Sequence, residues 1–173
     1  MKEMTAEQAS FLLQNMLGTL KRESRTTKSV LASVPADKAE YRPDPISMSA
    51  IHLVRHIATA DNRFAETVPT GAFGPPPEIP ESAKTPAEIA DWYESRFAKN
   101  FEALTRATPE QLLKTVDFRG IFSQPAISFL TTGLHHTIHH RGQLSSYLRS
   151  MGAKVPAMYG ESYDSAAAKQ AIS

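Results

Sequence analysis

The chain contains no cysteine. Disulfides, zinc–thiolate sites, iron–sulfur clusters and a cysteine nucleophile are therefore excluded within it. Any metal must be held by nitrogen and oxygen donors, or by a donor that a substrate brings. No apolar run approaches the ~20 residues that cross a bilayer, so no membrane partner is expected. The start, Met1-Lys2-Glu3-Met4-Thr5, lacks the apolar stretch of a signal peptide. A cytoplasmic location is the expectation. Excess charge of one sign is also missing: the formal net charge is +1. No nucleic-acid surface is expected from such a balance. The basic cluster Lys21, Arg22, Arg25 and Lys28, interrupted by Glu23, reads as a solvated helix face. No strand-like alternation and no internal repeat stand out.

What the chain does have is helical periodicity. Thr5 with Gln8 forms a capping-box pattern, and Phe11, Leu12, Met16, Leu17, Leu20, Val30, Leu31 and Val34 follow at helical spacing. The first helix is predicted over 5–34, stopped by Pro35. A connector with Pro35, Pro43 and Pro45 leads to a second helix from Ser47 or Ser49 to about Thr67. The stretch 69–84 carries Pro69, Pro75, Pro76, Pro77 and Pro80 and reads as a long loop. Thr85, Pro86 and Glu88 give a sharp helix start, and the third helix runs to about Ala107. A helical turn at Pro109–Leu113 and an extended link over 114–123 come next. A fourth helix over 123–150 is ended by Gly152 and Pro156. The reading is all-α: a four-helix bundle with long connections. The domain covers 1–157. The tail 158–173 is a loop with a weak helix, or disordered.

The six histidines fall in two places: His52 and His56, then His135, His136, His139 and His140. Spacing of four residues stacks them in pairs on a helix. On the fourth helix, Ile127, Leu130, Leu134, Ile138, Leu144 and Leu148 form one apolar face. His136 and His140 share a different stripe with Phe129, Gly133 and Tyr147, while His135 and His139 lie between. On the second helix, His56 borders the sector of Leu53, Ile57, Ala60 and Phe64, and His52 projects outside it. The pattern selects His56, His136 and His140 as three metal ligands around a central site, leaving an open coordination position. Zinc, nickel, iron or manganese would suit these nitrogen donors, and affinity order alone does not select among them. The competing reading is that these are hydrogen-bonded core histidines or exposed ones.

Two segments carry a resemblance. His136-Thr137-Ile138-His139-His140-Arg141-Gly142-Gln143-Leu144, followed by Tyr147-Leu148-Arg149 and Met151-Gly152, is similar to the DinB-like superfamily. So is Ser47-Met48-Ser49-Ala50-Ile51-His52-Leu53-Val54-Arg55-His56-Ile57. The resemblance covers roughly residues 5–157. It implies a four-helix bundle with a divalent metal on His56, His136 and His140, in a homodimer. It also implies a metal-dependent enzyme acting on a small molecule. S-transfer from a low-molecular-weight thiol cosubstrate is the leading reaction and metal-dependent hydrolysis the alternative. A non-catalytic metal-binding or stress-associated protein is the rival from another class.

Supporting roles follow. His52 and His139, with Glu66, are candidates to move a proton, and Gln143 either bonds within the core or touches the cofactor or substrate. Arg141 projects onto the apolar face, so it should find a carboxylate or carbonyl. Gly142 is expected where two helices approach closely. Asp61 and Glu94 are expected to be solvated or salt-bridged.

Overall fold

In the computed structural model, residues 4–171 are described. Positions 1–3 and 172–173, at the ends of the expected domain and tail, lie outside the described residues. Four long helices make the bundle: α1 (Ala6–Ala32), α2 (Ala50–Thr70), α3 (Pro86–Thr105) and α5 (Ala126–Ser150). Short α4 (Pro109–Leu113), strands β1 (Thr115–Phe118) and β2 (Phe122–Pro125), and a terminal helix α6 (Tyr163–Gln170) complete it. Both α1 and α2 pack against α3 and α5. Thus α1 and α2 sit diagonally across the bundle, and the α1–α2 connection must cross one end. Leu53, Ile57, Ile89, Tyr93, Leu104, Phe129, Leu144 and Leu148 fill the interior.

Local chemistry sets the helix starts. The Thr5–Gln8, Thr85–Glu88 and Thr108–Gln111 pairs are all closed capping boxes, each satisfying otherwise orphaned donors. Ser49 caps α2. That helix runs past the expected stop, through Pro69 to Thr70. A proline in the last turn removes one intrahelical bond without barring the next residue. The end comes instead at Gly71, whose φ of 65° is left-handed and whose N–H reaches Thr67 O.

Two expectations change in the segment before α5. The extended link is a hairpin, with Thr115 opposite Pro125 and Phe118 opposite Phe122. The last long helix starts at Ala126 rather than Ser123, because the Pro125 ring keeps Gln124 extended. The tail is partly helical. Arg149 and the Val155 N–H both donate to Asp164 Oδ2, at 2.8 and 2.9 Å, tying α6 to α5.

Arg141 is 1% exposed, and it is paired as its position required. It donates to the Glu23 carboxylate and to Tyr159 Oη. It also reaches Glu23 O at 3.1 Å and Thr27 Oγ1 at 3.2 Å. Beside it, Asp61 on α2 accepts from Tyr93 Oη on α3 at 2.6 Å and from Thr137 Oγ1 on α5 at 2.9 Å. These polar groups join all four long helices at mid-height. Asp61 is therefore an enclosed acceptor, not the solvated or salt-bridged group expected. Burial raises its carboxyl above the usual carboxylate range, against the two hydrogen bonds.

The close approach between helices falls at Gly133, not Gly142. A Cβ on Gly133 would lie 2.5 Å from Phe64 Cβ, whereas one on Gly142 would meet nothing within 4 Å. Gly142 faces solvent beside His135 and His139. Ile138, at the margin of that sector, is 36% exposed rather than core.

Candidate metal centre

Helix α2 brings His56 and helix α5 brings His136 and His140 to one point. His56 Nε2 lies 3.0 Å from His136 Nε2 and 3.2 Å from His140 Nε2. One ligand atom from each of the three lies within 4.8 Å of the others. Two nitrogens sharing a tetrahedral zinc at about 2.0–2.1 Å are about 3.3 Å apart. The spacing therefore fits one ion with little movement. The Gly133–Phe64 contact makes it possible, since it sets how closely α5 approaches α2 one turn before His136.

The protonation chemistry agrees with a ligand role. His140 Nδ1 bonds to Gln143 Oε1 at 3.0 Å. An amide oxygen only accepts, so that nitrogen carries the proton and Nε2 turns its lone pair inward. Gln143 Nε2 in turn donates to Tyr147 Oη at 3.3 Å. Gln143 thus orients the His140 ring through a hydrogen bond within the bundle, one of the two roles expected of it. Burial, then the charge of His140, lowers the His56 pKa. Burial, then the charges of His140, His56 and His139, lowers that of His136 to about 4. Both imidazoles are neutral at pH 7, as metal binding requires. His136 Nδ1 is buried with no hydrogen-bond partner among the described residues.

The remaining histidines are not brought into this cluster. His52 and His135 are exposed. His139 is also exposed, its ring edge-on to His140 with centroids 4.9 Å apart. Glu66 is occupied elsewhere: Arg96 Nε donates to it at 2.7 Å and Asn100 Nδ2 at 3.3 Å. Glu94 pairs with Lys28.

A cavity of about 180 Å³ opens beside the centre. Its wall includes His56 and His136, together with Phe64, Phe73 and Phe118. Arg63 and Arg119 line it as well. The Pro-rich loop contributes Phe73 and Pro76, so it shapes the cavity as well as connecting helices. Arg63 holds that loop: its Nε donates to Gly74 O, and its guanidinium carbon sits 3.8 Å from the Phe73 ring centroid. Sequence reasoning passed over both arginines. The signal for Arg63 was its position on α2, seven residues or about two turns beyond His56. Arg119 carried none, since its place depends on the hairpin.

Comparison with known proteins agrees with the fold. The model of the DinB family matches residues 4–171. The uncharacterized protein YjoA of Bacillus subtilis (strain 168) is 31% identical over 129 residues, covering 73% of this chain and 82% of YjoA. A crystal structure of the DinB-like protein YjoA from Bacillus subtilis superposes with a TM-score of 0.70 at 26% identity, covering 86% of this chain and 99% of that one. A DinB-like protein from Bacillus cereus ATCC 10987 gives 0.69 at 25% identity, covering 84% and 97%. The family model spans nearly the whole chain, and this protein belongs to the DinB family.

Proposed function

We propose that the protein is a metal-dependent enzyme whose centre is His56, His136 and His140, and that its reaction is S-transfer from an external low-molecular-weight thiol. The observation that supports this reading best is the convergence of three Nε2 atoms, two of them from His56 and His136, which line a cavity. His56, His136 and His140 would hold a divalent transition metal, zinc or nickel by preference, which would supply Lewis acidity that lowers the pKa of a bound thiol or water.

The chain's own residues do the rest. Gln143 holds the His140 tautomer, and the phenylalanines exclude water from the cavity. In the transfer, the thiol sulfur bonds to an electrophilic carbon, the leaving group departs with its bonding electrons, and the thiol proton passes to solvent. We assign the relay of that proton to His139, whose ring lies against His140 at the solvent side; His52, the other candidate, faces solvent one turn from His56, and neither lines the cavity. The nucleophile must come from outside because the chain has no cysteine. Hydrolysis is the second reading. It is less favoured because none of the residues lining the cavity is a carboxylate, leaving no acidic side chain to act as base toward water.

The test is thiol consumption with a generic electrophile, using metal-loaded protein with and without chelator. Metal-dependent loss of thiol is expected. Unchanged thiol, with chelator-sensitive hydrolysis of an activated ester, would select the alternative.

A further inference from the structure

Two arginines share the cavity with no acid to balance them. Neither Arg63 nor Arg119 is in an ion pair among the described residues. Every other residue of the wall is neutral or histidine. Two guanidiniums near one another beside apolar rings repel unless an anion joins them. The repulsion is felt: burial first, and then the Arg119 charge, lower the Arg63 pKa. Both side chains nevertheless stay charged.

The position of Arg119 is itself unusual. It is the one non-glycine residue with positive φ among the described residues, at 58°, followed by Gly120 at 74°. Such a pair suits the tight turn of a two-stranded ribbon, but the first position favours asparagine, aspartate or glycine over arginine. Asp117 Oδ2 accepts from the Gly120 N–H at 2.7 Å, and Ile121 N–H closes the turn onto Phe118 O at 3.0 Å. The hairpin thus presents Phe118 and Arg119 together to the cavity.

We propose that this cavity binds a small organic carboxylate, with Arg63 and Arg119 receiving the carboxylate and Phe64, Phe73 and Phe118 packing its apolar body. This rests on the same centre being the site of reaction, and it names the class of substrate. A guanidinium fork matches the planar carboxylate in shape as well as charge. Phe64 and Phe73, with centroids 5.2 Å apart, and Phe73 and Phe118, 4.6 Å apart, form a continuous apolar surface. At about 180 Å³ the space is below the usual ~300 Å³ of drug-sized sites. It therefore takes a compact acid, or one end of a longer one.

The experiment uses the metal-loaded full chain and three probes of one shape: benzoate, benzamide and phenylphosphonate. Binding is read by ligand-observed NMR, and metal content is measured in the same samples. Benzoate should bind about tenfold more tightly than benzamide, the scale of one charge-assisted contact. Arg119→Gln should erase the preference, weakening benzoate far more than benzamide, with metal content unchanged. Arg63→Gln, checked for helical content, should do the same to the preference. Equal binding of benzoate and benzamide would overturn the proposal. So would a preference that survives Arg119→Gln but vanishes with chelator, because the carboxylate would then sit on the metal. Tighter binding of phenylphosphonate than benzoate would overturn the carboxylate assignment. Arginine-dependent benzoate binding in protein that takes up no metal would support this subsite and refute the metal centre instead.

Discussion

Replacing Gly133 by alanine should damage the centre without touching a ligand. The added Cβ would lie 2.5 Å from Phe64 Cβ and 2.8 Å from Phe64 Cγ. Carbon atoms in contact settle near ~3.5–4.0 Å, so α2 and α5 must part by about 1 Å. Phe64 Cβ is anchored to its helix backbone and cannot swing aside. Overpacking of this kind costs about 1–3 kcal/mol, and alanine regains about 1 kcal/mol of helix propensity. The net expectation is a loss of about 0–2 kcal/mol, with a midpoint of about 1 kcal/mol, or about 2–4 °C in Tm for a chain of this size. Parting the helices lengthens the 3.0 Å His56–His136 separation past the ~3.3 Å that suits a tetrahedral ion. Metal affinity should fall about ten- to hundredfold, the range seen when support for ligands is lost. Gly142→Ala is the control: the same helix, with nothing within 4 Å, so a gain of up to about 1 kcal/mol. Urea unfolding and a competition titration against a chromophoric chelator measure both effects. If Gly133→Ala stabilises as much as Gly142→Ala and binds metal equally well, the reasoning is refuted.

Other perturbations probe different parts. Gln143→Ala frees the His140 ring and should weaken metal binding about tenfold with little loss of stability; an unchanged titration would mean that Gln143 does not orient the ligand. Glu23→Ala removes the counter-charge of buried Arg141 and should cost about 3 kcal/mol in urea unfolding, where a loss below about 1 kcal/mol would contradict a coupled pair. In metal-free protein, His136 titrates at about 4 in the fold against 6.5 in its absence. The unfolded chain therefore binds the proton first, and stability should fall as pH drops from 6.5 toward 4, by about 1–2 kcal/mol after solvent screening of a half-buried ring. His136→Asn should flatten that slope, and a parallel pH dependence in the two proteins would count against it.

The elements readable from sequence were those written in local chemistry. Thr85-Pro86 with Glu88 fixes the start of α3 because capping needs only residues three apart. The stripe shared by His136, His140 and Gly133 is a property of one helix, so projection alone separates these histidines from His135 and His139. Arg141 was legible because a charge on an apolar face has few permissible partners. The hairpin was not. Its strands have four residues each, only Val116 is buried, and its pairing depends on contacts outside the segment. The exchange of roles between Gly133 and Gly142 had the same origin: which glycine meets another helix depends on what lies opposite. Here that is Phe64, 69 positions earlier in sequence. Arg63 and Arg119 meet only after α2 and the hairpin are both in place, so the cavity's charge was invisible to any local window.

The most direct measurement is elemental analysis of protein purified without a histidine tag, beside His56→Ala, His136→Ala and His140→Ala with their helical content checked. The account predicts near-stoichiometric divalent transition metal in the parent protein and its loss from all three folded variants. Near-stoichiometric metal retained in both His136→Ala and His140→Ala would contradict the centre formed by α2 and α5.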